Sequence, residues 1–207
     1  SEDQLLDEMI ISSNQAKSYN SISIKSNQLK DNFSGSLAKT LDKVAGVSAM
    51  EVGSGVSKPM IRGLGFTRIA VTENGIKQEG QQWGADHGLE IDALQAEEVE
   101  VIKGVGAIAY GSDAIGGVIR VNNEKIPSAN GFSGNVILHG KTVNDALGTS
   151  IAIQNRKDNF FFKAKISGVD YADFKVPTTE INYLNTKIPI YNNRMKNTAG
   201  DEYALYL

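Results

Sequence analysis

Residues 99–121 read VEVIKGVGAIAYGSDAIGGVIRV, and this stretch decides how the rest of the chain is understood. Two strand-like runs, at 98–102 and 117–122, flank a Gly-rich turn, a helix of under two turns at about 105–110 and a second Gly cluster. Gly104, Gly106 and Ala109 trace the outline of a dinucleotide fingerprint. That chemistry needs a helix of real length whose N-terminus faces the pyrophosphate. Here Gly111 breaks the helix almost at once, Gly116 and Gly117 follow, and no right-handed βαβ unit surrounds them. No G-x-x-x-x-G-K-[ST] string is present either. The glycines read better as backbone devices that permit sharp turns and close packing.

Composition narrows the function. The 207 residues suffice for one or two domains, and 41% hydrophobic with 22% charged content is that of a globular chain. A net charge of −3 argues against nucleic acid as the main partner. Cysteine is absent, which excludes disulfides and thiolate zinc sites, and the two histidines, His87 and His139, cannot build a multi-histidine metal centre. No nucleophile–base pair can be read, so no catalytic residue, metal site or cofactor is assigned. No apolar stretch approaches the roughly 20 residues of a membrane-spanning helix.

Along the chain, the polar segment 1–17 holds one apolar knot, 5–11, which reads either as a strand awaiting an edge or as a frayed helix end. Residues 19–25 alternate as a strand. A short amphipathic helix follows over 34–47, with Leu37, Leu41 and Val44 at helical spacing, Ser34 or Ser36 as N-cap and Gly46 as stop. Strands are expected at 47–52 and 68–72, and Asn74-Gly75 marks a type I′ hairpin turn. A long polar loop, 79–92, carries the one tryptophan, Trp83, and Asp92 is placed to cap a short helix at 93–98. After residue 130 the text becomes alternating segments of about a dozen residues, the length of tilted membrane-spanning strands. Ile151 and Ile153, then Phe160, Phe162, Ala164 and Ile166, trace outward-facing sets, and 177–202 reads as a long polar loop.

The quoted stretch resembles the closing signature of the plug domain of TonB-dependent outer-membrane receptors. Glu100, Lys103, Gly104, Tyr110, Gly111, Ser112, Ala114, Gly116, Gly117, Val118 and Ile119 carry the likeness. Upstream, LAKTLDKVAGV resembles the plug's first helix, IRGLG its IRG element, VTENGI its hairpin, and LLDEMII the TonB box. Lys103 stands where the family commonly has Arg, and Val105 where it often has Pro.

The resemblance implies an α+β fold: a small mixed-sheet plug with short helices over 18–125, preceded by a tail at 1–17. The first antiparallel strands of a transmembrane β-barrel would follow over 131–207. Three strands and the start of a fourth cannot close a barrel, so a piece of a longer protein is expected. The implied function is outer-membrane active transport, with the tail in the periplasm and the plug inside the barrel. Leu6, Asp7, Glu8, Met9, Ile10 and Ile11 would pair with a TonB-like periplasmic energy transducer. Gln82, Trp83, Asp86 and His87 would lie at the plug apex and contact an iron chelate, haem, cobalamin or similar metal complex. Arg62 and Lys103 would face the barrel, and the glycines would pack against its wall. The acidic run Glu97, Glu98 and Glu100 is expected to be a solvated helix end plus one strand-face carboxylate. The alternative is a soluble plug-like binding module without transport.

Overall fold

The computed structural model describes residues 21–51, 53, 57–84, 88–123, 126–127 and 129–207. The apolar knot at 5–11, together with Asp86 and His87, lies outside these residues.

The N-terminal unit contains β1 (Ser21–Lys25), α1 (Ser26–Asp31), α2 (Leu37–Leu41), β2 (Val47–Glu51), β3 (Ser57–Ile61), β4 (Ile69–Glu73), β5 (Ile76–Lys77), β6 (Glu98–Ile102) and β7 (Gly117–Asn122). Five of these strands form one mixed sheet in the order β1-β6-β7-β4-β5, with β4 and β7 parallel and the remaining pairs antiparallel. The hairpin turn is as the sequence dictates: Asn74 and Gly75 both have positive φ, 49° and 82°. The strand expected at 47–52 forms, but it pairs with β3 in a separate hairpin, Val47 opposite Ile61. Alternation tells which face of a strand is buried, not which strand it pairs with.

One face of the sheet offers Ile69, Val71, Val99, Val101, Ile119 and Val121, which pack with Leu29 of α1 and Leu37 and Leu41 of α2. Ser36 caps α2 by accepting from the Lys39 amide. The helix ends at Leu41 rather than continuing to Val44, and the chain turns at Gly46 with φ 75°. Helix α1 gave no periodic signal, since Leu29 is its single buried residue. Its first turn is held by the Gln28 side chain, which accepts from the Lys25 amide at 3.1 Å. The helix expected at 93–98 is a single turn. Asp92 Oδ1 accepts from the Leu94 amide at 2.8 Å, and Glu98 already opens β6. So short a segment cannot repay helix nucleation.

The opposite face is covered by two 3₁₀ turns, Gly104–Tyr110 and Ser112–Ala114, which place Ala107 and Ala114 against Ala70, Ile102 and Val118. Two glycines of the 99–121 stretch lie where a side chain would collide with neighbouring atoms. A Cβ on Gly116 would lie 2.9 Å from the Arg68 carbonyl, Ile69 and Leu64. Gly117 has φ 141°, and its Cβ would meet Ile61 at 2.7 Å and the Ile102 carbonyl at 2.8 Å. The amides of Gly111, Ala114 and Gly116 donate to the carbonyls of Ile108, Gly111 and Arg68, so they cradle no phosphate. The close packing is against the unit's own elements, where an outer wall was expected.

The C-terminal part contains β8 (Gly131–Lys141), β9 (Ala146–Lys157), β10 (Phe160–Tyr171), β11 (Phe174–Lys175), β12 (Glu180–Tyr183), β13 (Thr186–Pro189), β14 (Arg194–Met195) and β15 (Gly200–Tyr206). The long strands form an antiparallel sheet ordered β15-β10-β9-β8. One face is apolar and exposed, with Val136, Leu138, Leu147, Ile151, Phe160, Phe162, Ile166 and Leu205 along it. The other carries Ser150, Lys165 and Ser167, all buried. Three directly opposed pairs set an aromatic ring against a glycine: His139 with Gly148, Tyr203 with Gly168 and Tyr171 with Gly200. A Cβ on Gly148 would come within 2.2 Å of the His139 ring. Residues 177–202 are more ordered than a polar loop. β11 pairs with β14 and β12 with β13, and Asp145 accepts from both Lys175 and Arg194, fastening this excursion to the 142–145 turn. No helix among the described residues is long and apolar enough to cross a membrane, which says nothing of strands.

Candidate functional site

The loop after the NG hairpin is built on one buried lysine. Residues Glu79–Gln82 form a 3₁₀ turn that ends at Trp83. The carbonyls of Gly80, Gln81 and Trp83 accept from Lys58 Nζ at 2.9, 3.3 and 2.7 Å. Lys58 belongs to β3 and is 1% exposed, and its ammonium lies 5.4 Å from the Phe66 ring centroid. Gln81 is fully buried beneath the turn and its amide donates to the Pro59 carbonyl at 3.4 Å. Gln82 Nε2 donates to Asp113 Oδ2 at 2.6 Å, and Lys77 pairs with the same carboxylate, holding it below the usual carboxylate range. Trp83 faces out, 56% exposed. Of the four residues expected at a ligand, the structure therefore describes Gln82 as a tether and Trp83 as the outward-facing group.

Arg62 and Lys103 come together at the end of the β2–β3 hairpin. Arg62 is exposed with φ 51°, and its amide donates to the Gly46 carbonyl at 2.8 Å. Lys103 is nearly buried and donates to the Ala45 carbonyl. Burial pushes its ammonium pKa down, and the Arg62 charge adds to the shift.

Contact between the N-terminal unit and the long-stranded sheet runs through lysines of the long strands that the sequence did not single out. Lys163 and Lys165 of β10 share Glu97 Oε1 at 2.6 and 2.9 Å. Lys163 also donates to the Asn123 carbonyl at 3.2 Å, and Lys165 to the Gln95 carbonyl. Ser167 donates to Asp92, Lys141 to the Ser34 carbonyl, and Phe33 meets His139 edge-on at 4.8 Å. Glu97 is thus no solvated helix end. Burial pulls its pKa up, but the two lysines more than offset this and hold it below the ordinary value. Its backbone is engaged as well, accepting from the Ser26 amide and donating to the Asn122 carbonyl. Lys163 and Lys165 alternate with Phe162, Ala164 and Ile166 along β10 and so lie on the opposite face, but alternation alone names no partner for them. A cleft of about 440 Å³ opens along this seam, where Gly88, Leu89 and Glu90 face Tyr171 and Glu202.

A mixed sheet seated by ion pairs on the polar face of long strands defines the class. The chain belongs to the TonB-dependent receptor plug domain family, whose model matches residues 13–118. It is 32% identical over 87 residues to the vitamin B12 transporter BtuB of Photobacterium profundum, a match covering 42% of this chain and 14% of that transporter. Among solved structures it resembles the copper transporter OprC, at 18% identity, with a TM-score of 0.64 over 76% of this chain and 24% of that one. It also resembles a mutant ferric enterobactin receptor, PfeA, from Pseudomonas aeruginosa in complex with enterobactin. There the identity is 19% and the TM-score 0.60, over 77% of this chain and 26% of the other. At such identities these structures speak for the fold.

Proposed function

We propose that this chain is the N-terminal part of an outer-membrane active-transport receptor whose plug gates a β-barrel. The observation that carries the reading is the two-faced sheet: an exposed apolar face fits lipid, while the polar face holds the plug. The relatives are transport receptors, and the family membership argues against an enzyme.

Topology supports an orientation. The chain leaves the plug at Asn122 and enters β8 at Gly131, so the 158–159 turn lies at the plug-exit end of the sheet. The 142–145 turn and the 172–199 excursion lie at the far end, and residues 88–90 sit beside Tyr171 there. With the tail in the periplasm, the far end faces outward, and loop 80–90 meets the substrate. Trp83, Asp86 and His87 are its contact residues, and Gln82 supports the turn from behind through Asp113. The substrate class is a metal complex: cobalamin, haem or an iron chelate. The B12-transporter relative makes cyanocobalamin the first ligand to test. Trp83→Ala is expected to cost on the order of 2 kcal/mol of affinity, roughly thirtyfold. Equilibrium titration of the complete receptor with cyanocobalamin, haemin and ferric enterobactin measures it. Unchanged affinity for the ligand that binds would move the site to the barrel.

Residues 6–11 pair with a TonB-like transducer by strand addition, in which backbone hydrogen bonds carry the affinity. Ile10→Pro removes one donor. Uptake by cells carrying that variant is expected to stop while ligand binding persists, and normal uptake would refute the role. Arg62 and Lys103 are assigned to contacts with barrel carboxylates outside this chain.

A further inference from the structure

A fully buried ammonium beneath an exposed turn is a costly way to hold a loop, because the charge must be taken out of water. Three backbone carbonyls from residues 80, 81 and 83 converge on Lys58 Nζ. The inner side of the turn is tied again through Gln81 to the Pro59 carbonyl and through Gln82 to Asp113. The outer side presents one large group, the indole of Trp83. Rigid support beneath a single projecting aromatic is the arrangement of a preorganised contact residue.

We infer that Lys58 is a positioning residue: it holds the 80–83 turn in the conformation that presents Trp83, and it acts on ligand affinity through that indole. The inference rests on the reading that this loop meets the substrate. Its core, the control of Trp83 by Lys58, can be tested without ligand. A methionine at 58 would fill the space of the lysine stem but leave the three carbonyls without their donor. The turn would then lose its anchor while the core beneath keeps its volume.

The complete receptor is labelled with 5-fluorotryptophan, and the Trp83 resonance is identified by its loss in Trp83→Phe. Lys58→Met is expected to move that fluorine resonance toward the position of free 5-fluorotryptophan. An unmoved resonance overturns the inference. Affinities for cyanocobalamin, haemin and ferric enterobactin are then read in a double-mutant cycle. Lys58→Met is expected to lose at least tenfold in the native background and less than twofold in Trp83→Ala. Fully additive losses would give Lys58 a general structural role and overturn its action through Trp83. If Trp83→Ala binds normally while Lys58→Met still moves the resonance, the ligand-contact reading fails and the positioning of the turn stands. Should Lys58→Met not fold, Lys58→Gln, which keeps two N–H donors, replaces it. The Trp83 resonance is then expected to shift part of the way, and no shift overturns the inference.

Discussion

Replacing Gly117 with alanine is expected to cost the plug on the order of 3 kcal/mol. Two separate penalties meet there. The backbone at φ 141° is a region that side chains avoid, and holding a residue in such a region costs about 1–3 kcal/mol. The new Cβ would also lie 2.7 Å from Ile61 Cδ1 and 2.8 Å from the Ile102 carbonyl. Ile61 is wholly buried, and Ile102 O is main chain on the neighbouring strand, so neither yields easily. Overpacking of that kind adds about 1–3 kcal/mol. Urea unfolding of the plug in the purified receptor is the measurement, with Gly53→Ala as comparison, since a Cβ at Gly53 meets nothing within 4 Å. Equal midpoints for the two variants would contradict the packing described here.

The second large effect is expected at the seam. Lys163 and Lys165 have side chains 8% and 5% exposed and share one carboxylate. Glu97→Leu leaves two buried cations without their counter-charge, which should weaken plug docking by about 3–5 kcal/mol. Combining it with Lys163→Met and Lys165→Met should restore much of the loss, because no buried charge then remains. Rates of proteolysis of the plug within the receptor compare the two. If the triple variant is cleaved faster than Glu97→Leu, the seam is held by something other than this pairing. The pH dependence has a definite sign. Glu97 titrates below its ordinary value of 4.5 in the folded protein, so its contribution is fully present above that value. It disappears as pH falls through the lower folded pKa, so the plug should loosen only in acid below about pH 4.5.

The plug was legible from sequence wherever local chemistry decides structure. Asn74-Gly75 demands its turn, Ser36 its cap, and the alternation in 99–121 its buried face. The same kind of signal revealed the long strands and their outward sets, from Ile151 to Ile166. What escaped was pairing across distance. β2 joins β3 rather than the main sheet, and Glu97 finds partners 66 and 68 positions away. The ordered excursion 172–199 escaped for a related reason. Its strands are two to four residues long, too short for a period, and its fastening to Asp145 spans 30 and 49 positions. The 80–83 turn stands out in the sequence by its composition, Trp83 above all. Its foundation does not, since Lys58 beside Pro59 reads as one more surface cation until the carbonyls around it are seen.

The opposed aromatic–glycine pairs bear on attempts to graft strands between receptors. His139 occupies the space above Gly148, Tyr203 that above Gly168, and Tyr171 that beside Gly200. Each pair joins two different strands, so neither member is a property of one segment alone. A hybrid that imports β9 without β8 would set a foreign side chain against the His139 ring, and importing β15 without β10 would break two pairs at once. Chimaeras cut in the 158–159 turn keep all three pairs, whereas a cut at 142–145 breaks one, so β8 should be exchanged together with β9 and β10 together with β15.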